Sequence, residues 1–172
     1  MPSGRSILLV LLLMMTTLGL PLGAAAAAPA GAPVLAGQTS RGEPVSLESL
    51  RGSVVLVFVW SSRCPVCLDK LPELRRNLEG WLDKPFVIVA LNHDRSPDQM
   101  ANYERALELT GSARPQLKNL WRGAAAHRDS FGDLPQAMPM SMVFDKSGVL
   151  RKEVRGRVPA ELWDDIAELV LE

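Results

Sequence analysis

The chain is poor in the residues that build metal centres and disulfide scaffolds. Its 172 residues hold two cysteines, two histidines and a single tyrosine. Two thiols cannot form a multi-bridge framework. Two thiols with His93 and His127, far apart and without ligand spacing, do not compose the four-ligand set of a structural zinc site. Both histidines are therefore read as ordinary surface or packing residues, and no metal or cofactor is expected. Charge of one sign is also missing. Nineteen basic residues balance nineteen acidic ones, so there is no electrostatic case for nucleic acid. Internal repeats are absent. The one long apolar run, Ile7 to Leu20, lies at the N-terminus and is interrupted only by Thr16, Thr17 and Gly19.

That run follows Arg5 and precedes Pro21, Gly23 and the small residues Ala24 to Ala28, the order of a secretory signal. It falls short of the roughly 20 apolar residues that a spanning helix needs. Residues 1–30 are accordingly expected to be a cleaved signal peptide and processing region, and residues 31–37 a linker. Residues 38–172 are expected to be one domain, periplasmic or secreted. A retained N-terminal membrane anchor is the alternative. Loss of Arg5 would leave the mature chain with a net charge of −1.

Downstream, Ser53 to Trp60 is nearly continuous in Val, Leu and Phe and reads as a strand buried on both faces. Over 64–82, Cys67, Leu71, Leu74, Leu78 and Trp81 fall on one helical stripe, with Pro72 expected to kink it. PFVIVAL, 85–91, is a second buried strand. Ser96 and Pro97 mark the start of a helix running to about Leu109, with Gly111 as its stop. Residues 44–50 read as a short strand or turn and a brief helical segment. In 112–137, QLKNLW suggests a short strand and AAAHRDSFG a helix. Ser141 to Phe144, the turn DKSG and Val149 to Val158 form a hairpin, and a last helix starts at Pro159. The sum is an α/β domain with a central mixed sheet flanked by helices.

Both cysteines lie in WSSRCPVCLDKLPEL, three residues apart, directly after the first buried strand. A bridge between them closes so small a loop that it adds little chain-entropy stabilisation, so a structural staple is the weaker reading. Placed where a helix begins, Cys64 has unpaired backbone N–H groups and the helix dipole to favour its thiolate, and Arg63 adds a neighbouring charge. Cys67 sits one turn deeper on the apolar stripe. The pair can exchange disulfides: the Cys64 thiolate attacks a partner disulfide, and Cys67 then attacks the Cys64 sulfur and releases the reduced partner. Run backwards, the pair oxidises a dithiol. Copper capture by the two thiols is a minor rival. A thiol peroxidase is another, disfavoured because the proline–threonine pattern expected of peroxiredoxins is missing before Cys64.

GEPVSLESLRGSVVLVFVWSSRCPVCLDKLPEL, residues 42–74, and MPMSMVFDKSG, residues 138–148, resemble the exported thioredoxin-like proteins of the TlpA/ResA type, which include reductases of cytochrome c maturation. The motif is also similar to that of an accessory thioredoxin-like protein of methylamine utilisation. The resemblance covers about 34–172 and is weakest over 112–137. It implies a thioredoxin fold with an N-terminal extension. The implied function is protein thiol–disulfide exchange, in the reducing direction, fed by an upstream thiol electron donor in the membrane or outside it. It implies catalytic Cys64 and Cys67, a cis bond at Pro139, and substrate binding by Pro139 and the backbone of Met138. A copper-handling chaperone or a non-catalytic binding module on the same fold is the alternative. The chain departs from the pattern in three places. Arg63 stands where many relatives have tryptophan. Phe58 stands where thioredoxins carry a buried acid. Lys70 stands where a glutamate is frequent. Arg63 and Lys70 are therefore candidates to modulate the thiol pKa, and Asp69 or Asp94 to move protons, against the plainer reading of solvated helix-surface charges.

Overall fold

The structure is a computed structural model, described here for residues 32–110, 117–134 and 138–172. Among these residues the chain forms eight strands and three helices: β1 (Leu35–Gln38), β2 (Pro44–Ser46), β3 (Val54–Trp60), α1 (Pro65–Glu79), β4 (Phe86–Asn92), α2 (Pro97–Leu109), β5 (Leu117–Trp121), β6 (Arg128–Asp129), β7 (Met140–Phe144), β8 (Leu150–Arg155) and α3 (Glu161–Leu171). The expected signal peptide and the Gly111 stop lie outside the described residues.

The central sheet has the order β5-β4-β3-β7-β8. β3 pairs parallel with β4 and antiparallel with β7, so the sheet is mixed and β3 is covered on both edges and both faces. Its unbroken run of Val, Leu, Phe and Trp follows from that position, since every residue of the strand is buried. The two faces part cleanly. Val54, Leu56, Phe58 and Trp60 share one core with Cys67, Leu71, Leu74 and Leu78 of α1, Met100 of α2, and Leu162, Ile166 and Val170 of α3. Val55, Val57 and Val59 share the other with Leu35, Val45, Leu120, Met140 and Met142. Each large side chain fully buried here contributes on the order of 1.5–3 kcal/mol.

The helices thus serve one face, and a small sheet of order β2-β1-β6 packs on the other. That division corrects the expected linker at 31–37. Leu35 is 1% exposed and fills the second core, while Leu35–Gln38 pairs with both β2 and β6. A Gly/Ala/Pro-rich composition masked a single anchoring leucine. The helix expected over AAAHRDSFG is also corrected. The segment turns back at Ala124 and His127 and supplies β6, because Asp129 pairs with Leu35 and its side chain is bound by neighbours in the same loop. The brief helical segment after Ser46 is a turn, closed by reciprocal hydrogen bonds between Ser46 and Ser49. α1 runs through Pro72 as one element.

Candidate active site

The β3–α1 connection carries the site. The chain leaves the sheet at Trp60, crosses Ser61, Ser62 and Arg63, and enters α1 with Cys64 as its N-cap. Cys64 is extended, at φ −99° and ψ 104°, and its sulfur accepts the Cys67 N–H at 3.1 Å. A capping position normally filled by a Ser, Thr or Asp oxygen is here filled by sulfur. Pro65 follows at the first helical position, where its missing N–H costs nothing. Cys64 and Cys67 are joined in a disulfide with their Cα atoms 5.2 Å apart. The environments of the two sulfurs differ: Cys67 is fully buried in the helical core, and Cys64 is half-buried at the surface.

The second wall comes from far along the chain. The Met138–Pro139 peptide bond is cis, and the Met138 carbonyl oxygen lies 3.6 Å from the Cys64 sulfur. In the dithiol form that carbonyl is an acceptor for a Cys64 S–H. Pro139 is buried, and its carbonyl accepts the Gly156 N–H at 2.7 Å, which ties the turn to the segment after β8. Met138 is half-buried and touches both cores, whereas Met140 and Met142 are buried in the second. Plain packing thus accounts for the alternating methionines inside β7, and Met138 alone stands at the site.

The remaining candidates separate. Arg63 is exposed beside Cys64, and its backbone N–H is held by the Ser61 hydroxyl at 3.2 Å. Lys70 is not a solvated surface charge. Its side chain is 7% exposed, and its ammonium donates to Glu73 at 2.7 Å on the same helix. A carboxylate so close neutralises much of the charge that Lys70 would offer a thiolate. Asp69 is exposed and faces Arg157 at 3.3 Å, in keeping with a surface charge. Phe58 is buried in the helical core, and across the strand from it Ser141 has a buried hydroxyl without a hydrogen-bond partner.

Asp94 is enclosed by hydrogen-bond donors. It is 5% exposed at the end of β4. Its carboxylate accepts from the Ser61 hydroxyl at 2.5 Å, from the Ser62 N–H at 3.0 and 3.2 Å, and from the Asn92 amide at 2.8 Å. Burial pushes this carboxyl up. The hydrogen bonds from Ser61, Asn92 and Ser62 together outweigh burial and hold it below the usual carboxylate range. Further along the chain, Asp129 accepts from Arg122 at 2.7 and 2.9 Å, from His127 at 2.8 Å and from the Phe131 N–H at 3.0 Å. Burial again pushes its carboxyl up, and these partners, Arg122 foremost, bring it down to about 2. Sequence reasoning missed this second cluster, although Arg122, His127 and Asp129 lie within one short segment. The Ser61–Ser62 partnership with Asp94 was also missed, because nothing in WSSRC or NHDRS points from one to the other.

A model of the AhpC/TSA family matches residues 29–153. An uncharacterized protein of Haemophilus influenzae is 27% identical over 124 residues, which cover 69% of this chain and 74% of that protein. The thiol-disulfide oxidoreductase ResA of Bacillus thuringiensis subsp. konkukian is 21% identical over 124 residues, 72% of this chain and 67% of its own length. Among solved structures, a thiol:disulfide interchange protein of the thioredoxin family from Chlorobium tepidum matches with a TM-score of 0.63 at 23% identity, covering 82% of this chain and 95% of that one. These likenesses establish the thioredoxin fold.

Proposed function

The chain belongs to the AhpC/TSA family, and from that premise we propose that it is an exported thiol–disulfide oxidoreductase that reduces disulfides in other proteins. The observation that carries this reading is the asymmetry of one bonded pair. A half-buried sulfur caps a helix beside a cis-proline turn, and its partner sulfur is sealed in the core three residues on. Oxidoreductase chemistry is supported by relatives named as thiol-disulfide oxidoreductases and by this chain's own Cys64–Cys67 pair; export and direction are the parts proposed here. In the reduced state Cys64 attacks one sulfur of a substrate disulfide and displaces the other as a thiolate. Cys67 then attacks Cys64, closes the bond seen here and releases the substrate as a dithiol. Met138 and Pro139 offer an extended substrate segment a wall and a backbone carbonyl next to Cys64. An upstream thiol donor returns two electrons to the pair.

Export rests on the leader-like N-terminus and on the resemblance of residues 42–74 and 138–148 to exported proteins of the TlpA/ResA type. No helix among the described residues is long and apolar enough to cross a membrane. The test is turnover of insulin disulfides by the full chain with dithiothreitol as donor, alongside Cys64→Ser and Cys67→Ser. Catalysis by the wild type, lost in both variants, supports the reading. Stoichiometric copper binding without exchange contradicts it and favours the chaperone alternative. The reduction potential of the pair assigns direction: a value near those of reducing thioredoxins, around −270 mV, agrees with the proposal, and one near −120 mV reverses it.

A further inference from the structure

Ser61, Ser62 and Arg63 form a three-residue connection that has left the sheet and not yet joined the helix, so neither element's hydrogen-bond ladder fixes it. What fixes it is one side chain from the loop that follows β4. Asp94 takes the Ser61 hydroxyl and the Ser62 N–H. Ser61 passes the constraint on, since its hydroxyl accepts the Arg63 N–H at 3.2 Å and its carbonyl accepts the Cys64 N–H at 3.1 Å. Asp94 is in turn held from behind. Asn92 binds both its carboxylate and its N–H, the latter at 3.1 Å, and the Trp121 indole N–H donates to its carbonyl at 2.9 Å. A continuous set of bonds therefore runs from β4 and β5, through Asp94, to the backbone of Cys64.

We propose that Asp94 is a positioning residue of the redox pair: it clamps the Ser61–Arg63 connection in the arrangement that holds Cys64 against Cys67. The inference rests on the reading of these cysteines as the redox pair and adds what sets their balance. All of the clamp's bonds are made with the disulfide closed. They favour the closed state to the extent that the connection must relax when the two sulfurs part. A support that served the fold alone would stabilise the oxidised and reduced forms equally and leave their ratio untouched.

The experiment equilibrates the full chain in mixtures of reduced and oxidised glutathione. After an acid quench and alkylation, the fraction of Cys64–Cys67 disulfide is read by mass. In this exchange the Cys64–Cys67 bond breaks and both sulfurs take up a proton, while two glutathione thiols become one glutathione disulfide. Asp94→Ala is expected to move the equilibrium toward the dithiol by about tenfold, equal to about 30 mV toward a more oxidising couple. Ser61→Ala moves it the same way by less, and adding Ser61→Ala to Asp94→Ala moves it little further, because both act through one bond. An equilibrium indistinguishable from wild type in folded Asp94→Ala overturns the proposal; if that variant does not fold, the same result in Ser61→Ala does so. This readout needs no protein substrate, so wild-type failure on insulin would sink the proposed function and leave this measurement standing.

Discussion

Asp94 and Asp129 are acids with buried side chains that solve one problem with different partners. Asp94 is satisfied by neutral donors, a hydroxyl, a side-chain amide and a backbone N–H, and these lead to the connection that carries Cys64. Asp129 is satisfied chiefly by the Arg122 guanidinium and by His127, and these fasten β6 to the segment that follows β5. Neutral donors bind firmly yet leave the surrounding charge unchanged, which suits a clamp beside a thiol. A bidentate arginine neutralises the acid and locks the fold. The chain thus separates a support for reactivity from a support for stability, although the Arg122 N–H donates to the Asn92 carbonyl at 2.9 Å and joins the two.

Breaking the Asp129 side should have the largest effect. Arg122→Ala leaves a carboxylate whose side chain is 4% exposed with only His127 and the Phe131 N–H as donors, and denaturant unfolding should register a loss of about 3 kcal/mol. The glutathione equilibrium of the folded variant should stay at the wild-type value; a shift as large as that of Asp94→Ala would erase the distinction. Acid comes next. Asp129 sits at about 2 against an ordinary 3.8, so its depressed carboxyl contributes about 2 kcal/mol above the ordinary value, lost as pH falls through about 2. Asp94 and Asp145 are also depressed and act in the same sense. Stability followed from pH 5 to pH 2 should fall less steeply in Asp129→Asn than in wild type, and parallel curves would contradict the assignment.

Ser61→Ala should cost about 1.5 kcal/mol in the oxidised protein, the worth of one hydrogen bond to a charged group, and less in the reduced protein. Equal losses in both states would make the Asp94 clamp a purely structural device like its neighbour. The smallest effect is electrostatic. Burial, followed by the positive charge of Arg122, lowers the His93 pKa from its ordinary 6.5, against the opposing pull of Asp94 and Asp129. Proton NMR should find His93 moved up in Arg122→Gln and unmoved in Arg122→Lys.

The elements legible in the sequence were those with strong local patterns. β3 and β4 announce themselves by apolar runs, α1 and α3 by their stripes, and the β7–β8 hairpin by DKSG. The redox pair was legible because two scarce residues stood together at the start of a helix. Other features depend on contacts distant in sequence. β1 is the central strand of the small sheet, and its assignment hangs on Leu35 reaching the second core. β6 exists because Asp129 meets Leu35, 94 positions earlier, and no local period marks it. Lys70 read as a candidate to modulate the thiol pKa; its spacing to Glu73 on one helix was visible in the sequence, but its burial depends on packing that no local pattern marks. Asp94 was visible as an acid near the site, but its role depends on donors 32 and 33 residues away.

The division of labour between the two sulfurs is tested most directly by asking which one captures a substrate. Cys67→Ser and Cys64→Ser are each reduced, mixed with a disulfide-bonded peptide, quenched in acid and weighed intact. Cys67→Ser should accumulate a one-to-one peptide adduct on Cys64, while Cys64→Ser stays unmodified because its remaining thiol is buried. An adduct that forms faster on Cys67, or on neither sulfur, contradicts the account.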